Sequence, residues 1–393
     1  MEAPFNAREL QRIATANLTA AGELVAAVLP KLPGAGPSAA AEVTAEWLTH
    51  HVAGTSGAVA QRVSALGGTT GTTDRRRLAV EWDEAGVAAG LPANLFVKST
   101  PLSAKNRTMV ATLGMAINEA RFYNQAAAEL KGVTPHAWFA HAGVGARFLI
   151  VLDDIVAAGG RPYALADECD LAHAQGLVDA FAALHARFWE SPRLAAELSW
   201  VRTWSTRTGY GVLKLFYARG RRGALRRDRP EVTAAVRDVA EALDRHAEPY
   251  YREFESGPLT LLHGDSHLGN TFAWPDGRSG LLDWQVIWRG PGLREVAYWM
   301  TTGLEPELRR AHEKELIARY LDGLRAGGID DVPSSGAAFD QYRIFAAEAW
   351  DATAMTVNWP GLQAQENTDA AFRRACAAVD DLETAKLMNR RYR

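Results

Sequence analysis

Cysteine is almost missing from this chain of 393 residues: Cys169 and Cys376 are the only two. Two cysteines cannot build a disulfide framework or a four-cysteine zinc module, and they suit a reducing compartment, so a cytoplasmic location is expected. Lysine is nearly as scarce, with seven among 43 basic residues, so a lysine inside an apolar strand asks for a reason. An excess of one charge is missing too, since 43 basic side chains face 46 acidic ones for a net charge of −3. General electrostatic attraction to nucleic acid or to an acidic membrane is therefore excluded. No apolar run approaches the roughly 18 residues a membrane span needs. The first ten residues carry acids, and the run Leu24 to Leu29 stops at Pro30 and Lys31, unlike a signal peptide. Neither insertion nor secretion is expected.

What is present is an ordinary globular composition, 48% hydrophobic and 23% charged, on a chain long enough for two to three domains at about 150 residues each. No internal repeat and no long low-complexity tract interrupts it. Residues 7 to 29 and 39 to 51 have helical patterning, separated by a linker rich in Pro and Gly, Leu32 to Ser38. Val59 to Leu66 and Arg77 to Trp82 read as strands flanking the loop Gly67-Gly-Thr-Thr-Gly-Thr-Thr-Asp74, and Leu95 to Ser99 is a further short strand. A helix over Val110 to Lys131 and strands over Ala137 to Ala142 and Ala146 to Leu152 follow. The order describes a small sheet carrying one helix. Beyond Asp154 the spacing is helical over Glu168 to Trp189, Pro230 to Glu253, Pro306 to Arg325 and Ala337 to Thr356. That half is interrupted by a strand, Leu259 to Leu262, a polar loop, His263 to Asn270, and a hairpin turning at Pro275-Asp-Gly277.

The interruption carries the chemistry. Asp265 and Asn270 are five residues apart in one loop, and Asp283 stands at the far end of the hairpin that follows. Paired strands lie about 4.8 Å apart, so the hairpin returns Asp283 to the side of Asn270, where the two can share a hard cation through oxygen ligands. Asp265 is left free beside that cation. Phosphoryl transfer needs this arrangement, with metal bridging phosphate oxygens and a separate carboxylate to orient and deprotonate the attacking hydroxyl.

His263-Gly-Asp265, Asn270 and Asp283-Trp284 together resemble the signature of the protein-kinase-like small-molecule kinases: aminoglycoside phosphotransferases, choline kinases and ecdysteroid-kinase-like enzymes. The usual Asp-Phe-Gly is here Asp283-Trp-Gln285, so the glycine hinge of regulated protein kinases is missing. The resemblance implies that Lys98, on its strand, grips nucleotide phosphates and that Glu119, on the first long helix, pairs with it. It implies that Leu149 to Asp154, with Leu152 and Asp153 at its end, is the hinge whose backbone holds the adenine. Gly67, Gly68 and Gly71 stand where the nucleotide lid belongs, although the loop lacks the protein-kinase Gly-x-Gly-x-x-Gly pattern. Leu184 to Trp189 resembles a helix of the ecdysteroid-kinase-like branch. In Gly290 to Tyr298, Glu295 stands where the family usually carries Asp.

The resemblance implies a two-lobed α+β fold: an N-terminal helical extension over 1–55, a small antiparallel-sheet lobe with one helix over 56–154 that binds nucleotide, and a larger, mainly helical lobe over 155–393. The expected cofactors are ATP and Mg2+. The expected partner is a small-molecule hydroxyl acceptor, with no nucleic acid and no membrane, on a monomer or homodimer. His267, Glu348, Trp350 and Asp351 are the candidate acceptor contacts. Acids there suit a cationic aminoglycoside, whereas Trp350 and the similarity around Leu184 favour a bulky, largely uncharged alcohol. The basic segment Tyr217 to Arg227 reads as a solvated helix face or as a site for an anionic group of the substrate. Two other readings stand beside this one: a kinase-shaped protein that binds nucleotide or metabolite without catalysis, and a metal-dependent hydrolase ligating through His263, Asp265 and His267.

Overall fold

The computed structural model describes residues 7–27, 37–226, 228–359 and 363–393. Most of the linker read at Leu32 to Ser38 lies outside the described residues. The chain forms two compact units, one running to Gly160 and taking in Trp284–Val286, the other holding Arg161–Asp283 and Ile287–Arg393.

The first unit contains α1 (Ala7–Ala27), α2 (Ala45–His51), β1 (Ala60–Thr70), β2 (Asp74–Trp82), α3 (Glu84–Ala88), β3 (Asn94–Ser99), α4 (Ala104–Leu113), α5 (Met115–Gln125), β4 (Ala137–Ala142) and β5 (Phe148–Asp153). Its five strands form one antiparallel sheet in the order β1-β2-β3-β5-β4. Strand residues alternate between faces. Leu78, Val80, Leu95, Val97, Leu149 and Val151 pack one face against Leu48 and Val52 at α2. Residues of 39–53 thus belong to the core of this sheet. Lys98, next to Val97 on β3, points to the other face, where α5 supplies Glu119.

Two local readings are corrected. The glycine loop is an extension of the hairpin: β1 and β2 stay paired to Thr70 opposite Asp74, leaving only Gly71 to Thr73 as the turn. The single helix expected over Val110 to Lys131 is divided at Gly114, whose left-handed backbone (φ 68°) ends α4 by returning its N–H to Val110 and Ala111 before α5 begins.

The second unit contains β6 (Arg161–Pro162), α6 (Leu171–Phe188), α7 (Tyr210–Arg226), α8 (Ala234–Arg245), α9 (Ala247–Arg252), β7 (Thr260–Leu262), β8 (Thr271–Ala273), β9 (Ser279–Leu281), β10 (Trp288–Gly290), α10 (Gly292–Gly303), α11 (Pro306–Ala326), α12 (Ser335–Val357), α13 (Gln365–Asp381) and α14 (Thr384–Arg391). The small strands pair as β7 with β10 and as β6-β8-β9. Every one of the 12 residues of α10 is buried, and α12 packs along it. A helix enclosed on all sides has no polar stripe, so apolar spacing does not reveal it. No helix among the described residues is long and apolar enough to cross a membrane.

Candidate active site

The loop after β7 is built on buried backbone. His263 is fully buried; its N–H donates to Glu295 Oε2 at 2.7 Å and the next N–H, of Gly264, to Glu295 Oε1 at 2.9 Å. One carboxylate from α10 therefore satisfies both amides that β7 leaves unpaired. Burial raises the pKa of Glu295, but the hydrogen bond and charge of His185, with the charge of Arg294, outweigh it and hold the carboxyl at about 2. Glu295 thus reaches the loop, despite being one methylene longer than the family's usual Asp.

His263 joins the loop to the hairpin. Its Nε2–H donates to the Leu282 carbonyl at 2.7 Å, and its Nδ1 accepts the N–H of Asp265 at 3.3 Å. Burial lowers its pKa and favours this neutral ring. Both nitrogens are spent on backbone, so His263 cannot ligate a metal, and the hydrolase reading falls with it. Among the described residues no group of three or more His, Cys, Asp or Glu side chains is arranged to hold an ion.

Asn270 turns its amide inward. Its Nδ2 donates to the Asp265 carbonyl at 2.8 Å, and its backbone carbonyl accepts the N–H of Leu282 at 2.8 Å. Asp283 is next to that pairing, in the left-handed region at φ 67° and ψ 68°, an uncommon and costly conformation for a residue other than glycine. With Nδ2 committed, Asn270 has its Oδ1 left to offer beside the Asp283 carboxylate. Such a pair of oxygen donors fits a hard divalent cation.

Asp265 keeps 40% of its side chain exposed. The Tyr298 hydroxyl donates to its Oδ1 at 3.1 Å; burial and the negative charges of Asp265 and Glu348 keep that phenol protonated. His267 Nε2 is 3.7 Å from the other oxygen, Oδ2, and 3.3 Å from Gln363 Nε2. Beneath the loop, Arg294 donates to the Gly264 carbonyl at 3.1 Å and makes a two-pronged pair with Glu348 at 2.7 and 3.1 Å. Burial would depress Arg294, yet Glu348 holds its pKa above the ordinary guanidinium value. Arg294 and Tyr298, four apart on one face of α10, escaped the sequence reading; that spacing was the one available signal.

In the first unit Lys98 Nζ pairs with Glu119 at 2.8 Å, both side chains being buried. Trp284, standing for the usual Phe, stacks on Phe122 of α5 at 3.9 Å, and the Gln285 carbonyl accepts Asn118 Nδ2 at 3.4 Å. Gly68 lies so close to β2 that a Cβ would stand 2.4 Å from the Arg75 carbonyl, while Gly67 and Gly71 face open space.

Two groups of expected contacts lie in paired or buried positions. Leu152 lies within the ladder between Phe96 and Ala137, and Asp153 donates its N–H to His136 and accepts Trp138 Nε1–H at 2.7 Å. The chain leaves the sheet at Asp154, whose side chain pairs with Arg77 at 2.6 Å. Glu348, Trp350 and Asp351 are buried rather than facing an acceptor. Glu348 holds Arg294 and the Tyr217 hydroxyl, Asp351 pairs with Arg221, and Trp350 is core.

Together the sheet unit and the helical unit with its inserted hairpin define a protein-kinase-like phosphotransferase. The chain belongs to the phosphotransferase enzyme family, whose model matches residues 109–339. The solved structure of a Ralstonia eutropha protein that carries an aminoglycoside phosphotransferase assignment shares the fold at a TM-score of 0.52 and 14% identity, over 87% of this chain and 96% of that one. Ethanolamine kinase of Plasmodium vivax matches at 0.47 and 10% identity, over 80% and 81%. Choline kinase of Streptococcus pneumoniae matches at 0.45 and 13% identity, over 82% and 94%. Among curated proteins no sequence matches the chain.

Proposed function

We propose that the chain transfers the γ-phosphoryl group of ATP to a hydroxyl of a small organic molecule. The acceptor oxygen bonds to the γ-phosphorus while the bond to the β,γ-bridging oxygen breaks, ADP leaves with that electron pair, and the hydroxyl proton passes to Asp265. The observation that carries this reading is the asymmetry at Asp265: Oδ1 is held by Tyr298, whereas among the described residues Oδ2 has only His267 at 3.7 Å. A carboxylate so oriented is ready to receive a proton. Asn270 and Asp283 would hold Mg2+, which would supply positive charge to the phosphate oxygens. Lys98, fixed by Glu119, takes the nucleotide phosphates, with the hairpin at Gly67, Gly68 and Gly71 as their cover. Nucleotide binding is assigned to residues 56–154; metal and acceptor chemistry is assigned to 155–393.

The acceptor is a bulky alcohol rather than an aminoglycoside. A polycation needs free carboxylates, and both buried acids of α12 are already matched by Arg294 and Arg221. Incubating the chain with MgATP and a library of hydroxylated metabolites and antibiotics tests the reading. Asp265→Ala should abolish acceptor-dependent ADP release while nucleotide still binds, and Asp283→Ala should lose the magnesium dependence of that binding. Normal turnover by Asp265→Ala would sink the mechanism. Nucleotide binding without turnover of any acceptor would favour the non-catalytic alternative.

A further inference from the structure

The mechanism leaves the C-terminal half of α7 unused. A cleft of about 660 Å³ opens there against the end of α12, within the size range of small-molecule sites. Its walls are close because α7 carries glycine where the helices meet: a Cβ on Gly220 would stand 2.4 Å from Met355 Cα, and one on Gly223 would stand 2.9 Å from Asn358 Oδ1. Asn358 locks the contact by donating to the Gly220 carbonyl at 3.0 Å. One end of the cleft is apolar, lined by Leu215 and by Phe216, whose ring meets that of Trp359 edge-on at 4.5 Å.

The other end is basic. Arg219, Arg222 and Arg226 follow at helical spacing, line the cleft and are exposed. Among the described residues none of the three has a carboxylate within ion-pair distance; Arg222 donates only to the Ala218 carbonyl of its own helix. Arg221, between them, is the contrast: it turns inward and is matched by Asp351 and Asp244. A solvated helix end accounts for exposed arginines, but not for three unmatched guanidiniums set along an aromatic-walled cleft.

The cleft is tied to the catalytic loop on both sides. Tyr217 and Glu348, on the two helices that wall it, reach Gly264 through Arg294. Gln363, four residues past Trp359, touches His267 beside Asp265. From Glu348 to Met355 is two helical turns, roughly 10 Å.

We propose that this cleft receives the far end of the acceptor: an apolar body ending in an anionic group, a carboxylate, sulfate or phosphate, about 10–15 Å from the hydroxyl that is phosphorylated. The proposal rests on the phosphotransfer reading above and refines it, since the acceptor's body is uncharged and its end is not.

Binding and turnover separate the two. Into the full chain, 12-hydroxydodecanoate, its methyl ester and dodecyl phosphate are titrated as monomers, with heat or tryptophan fluorescence as the signal. Either acid should bind at least about tenfold more tightly than the ester, a preference that weakens with added salt. The combined Arg219→Ala, Arg222→Ala and Arg226→Ala variant should lose that preference while its melting temperature and nucleotide binding stay as before. Equal affinity for acid and ester, or a preference that survives in the variant, would overturn the proposal. Sedimentation with anionic phospholipid vesicles without binding of either monomeric acid would overturn it in favour of a membrane surface. Arginine-dependent binding without ADP release would retain the cleft and remove the kinase reading. ADP release with neutral alcohols and no gain from an acid would do the reverse.

Discussion

The loop from His263 to Asn270 and the glycine hairpin at Gly67 to Thr73 are both assigned to phosphate chemistry, yet they are held in opposite ways. In the loop, side chains from elsewhere hold the backbone: Glu295 takes two amides, Arg294 a carbonyl and His263 spans to the hairpin strand. The glycine hairpin is exposed from Gly67 to Gly71 and relies chiefly on its own ladder, with Asn106 Nδ2 reaching the Gly71 carbonyl at 2.6 Å. Buried hydrogen bonds to charged groups are costly to leave half made. The loop therefore has one arrangement, as the placement of a proton acceptor requires, whereas a phosphate cover can adapt to its ligand.

Three measurements break or sharpen that contrast. The largest effect belongs to Glu295→Ala, which strips the acceptor from two amides and leaves His185 and Arg294 without that charge. Destabilisation on the order of 3 kcal/mol is expected by urea unfolding, with turnover collapsing alongside, and Glu295→Gln should recover part of both. A variant as stable as the parent would mean the loop is not held from α10. Next comes acid. The Glu295 carboxyl is depressed to about 2 in the folded chain, so its contribution is fully present above the unfolded value near 4.5 and is lost as pH falls toward 2. That amounts to roughly 3 kcal/mol across this window, and Glu295→Gln should flatten the stability profile there. An unchanged slope would detach the charge from the fold. The smallest stability effect belongs to Gly71→Val, whose Cβ would face open space. Stability should change by under about 1 kcal/mol while the KM for nucleotide rises several-fold. An unaltered KM would remove the hairpin from nucleotide binding.

Much of the loop was legible because its geometry is local. Asp265, Asn270 and Asp283 lie within nineteen consecutive residues, and a hairpin return brings Asp283 to Asn270 without help from afar. The alternating apolar residues of β3 likewise revealed a strand on which a lysine needed a partner. The split of α4 from α5 was less legible, since a single glycine inside a helical pattern is often tolerated. Burial was hardest to read. Glu348 and Asp351 look like solvent-facing acids on an amphipathic helix until Arg294, from α10, and Arg221, from α7, are brought against them.

The sequence by itself determined the chemistry on offer: the carboxylates and amide of the loop, the scarce lysine on a strand, and the order of a small sheet followed by a helical half. These follow from residue type and short-range spacing. Only the tertiary structure decided which charges are spent and which remain. It consumed His263 on backbone and Arg221 on Asp351 while leaving Arg219, Arg222 and Arg226 without a carboxylate among the described residues. Matching a charge requires a partner within about 4 Å, and for Arg221 and Asp351 that partner lies 130 residues away in the chain.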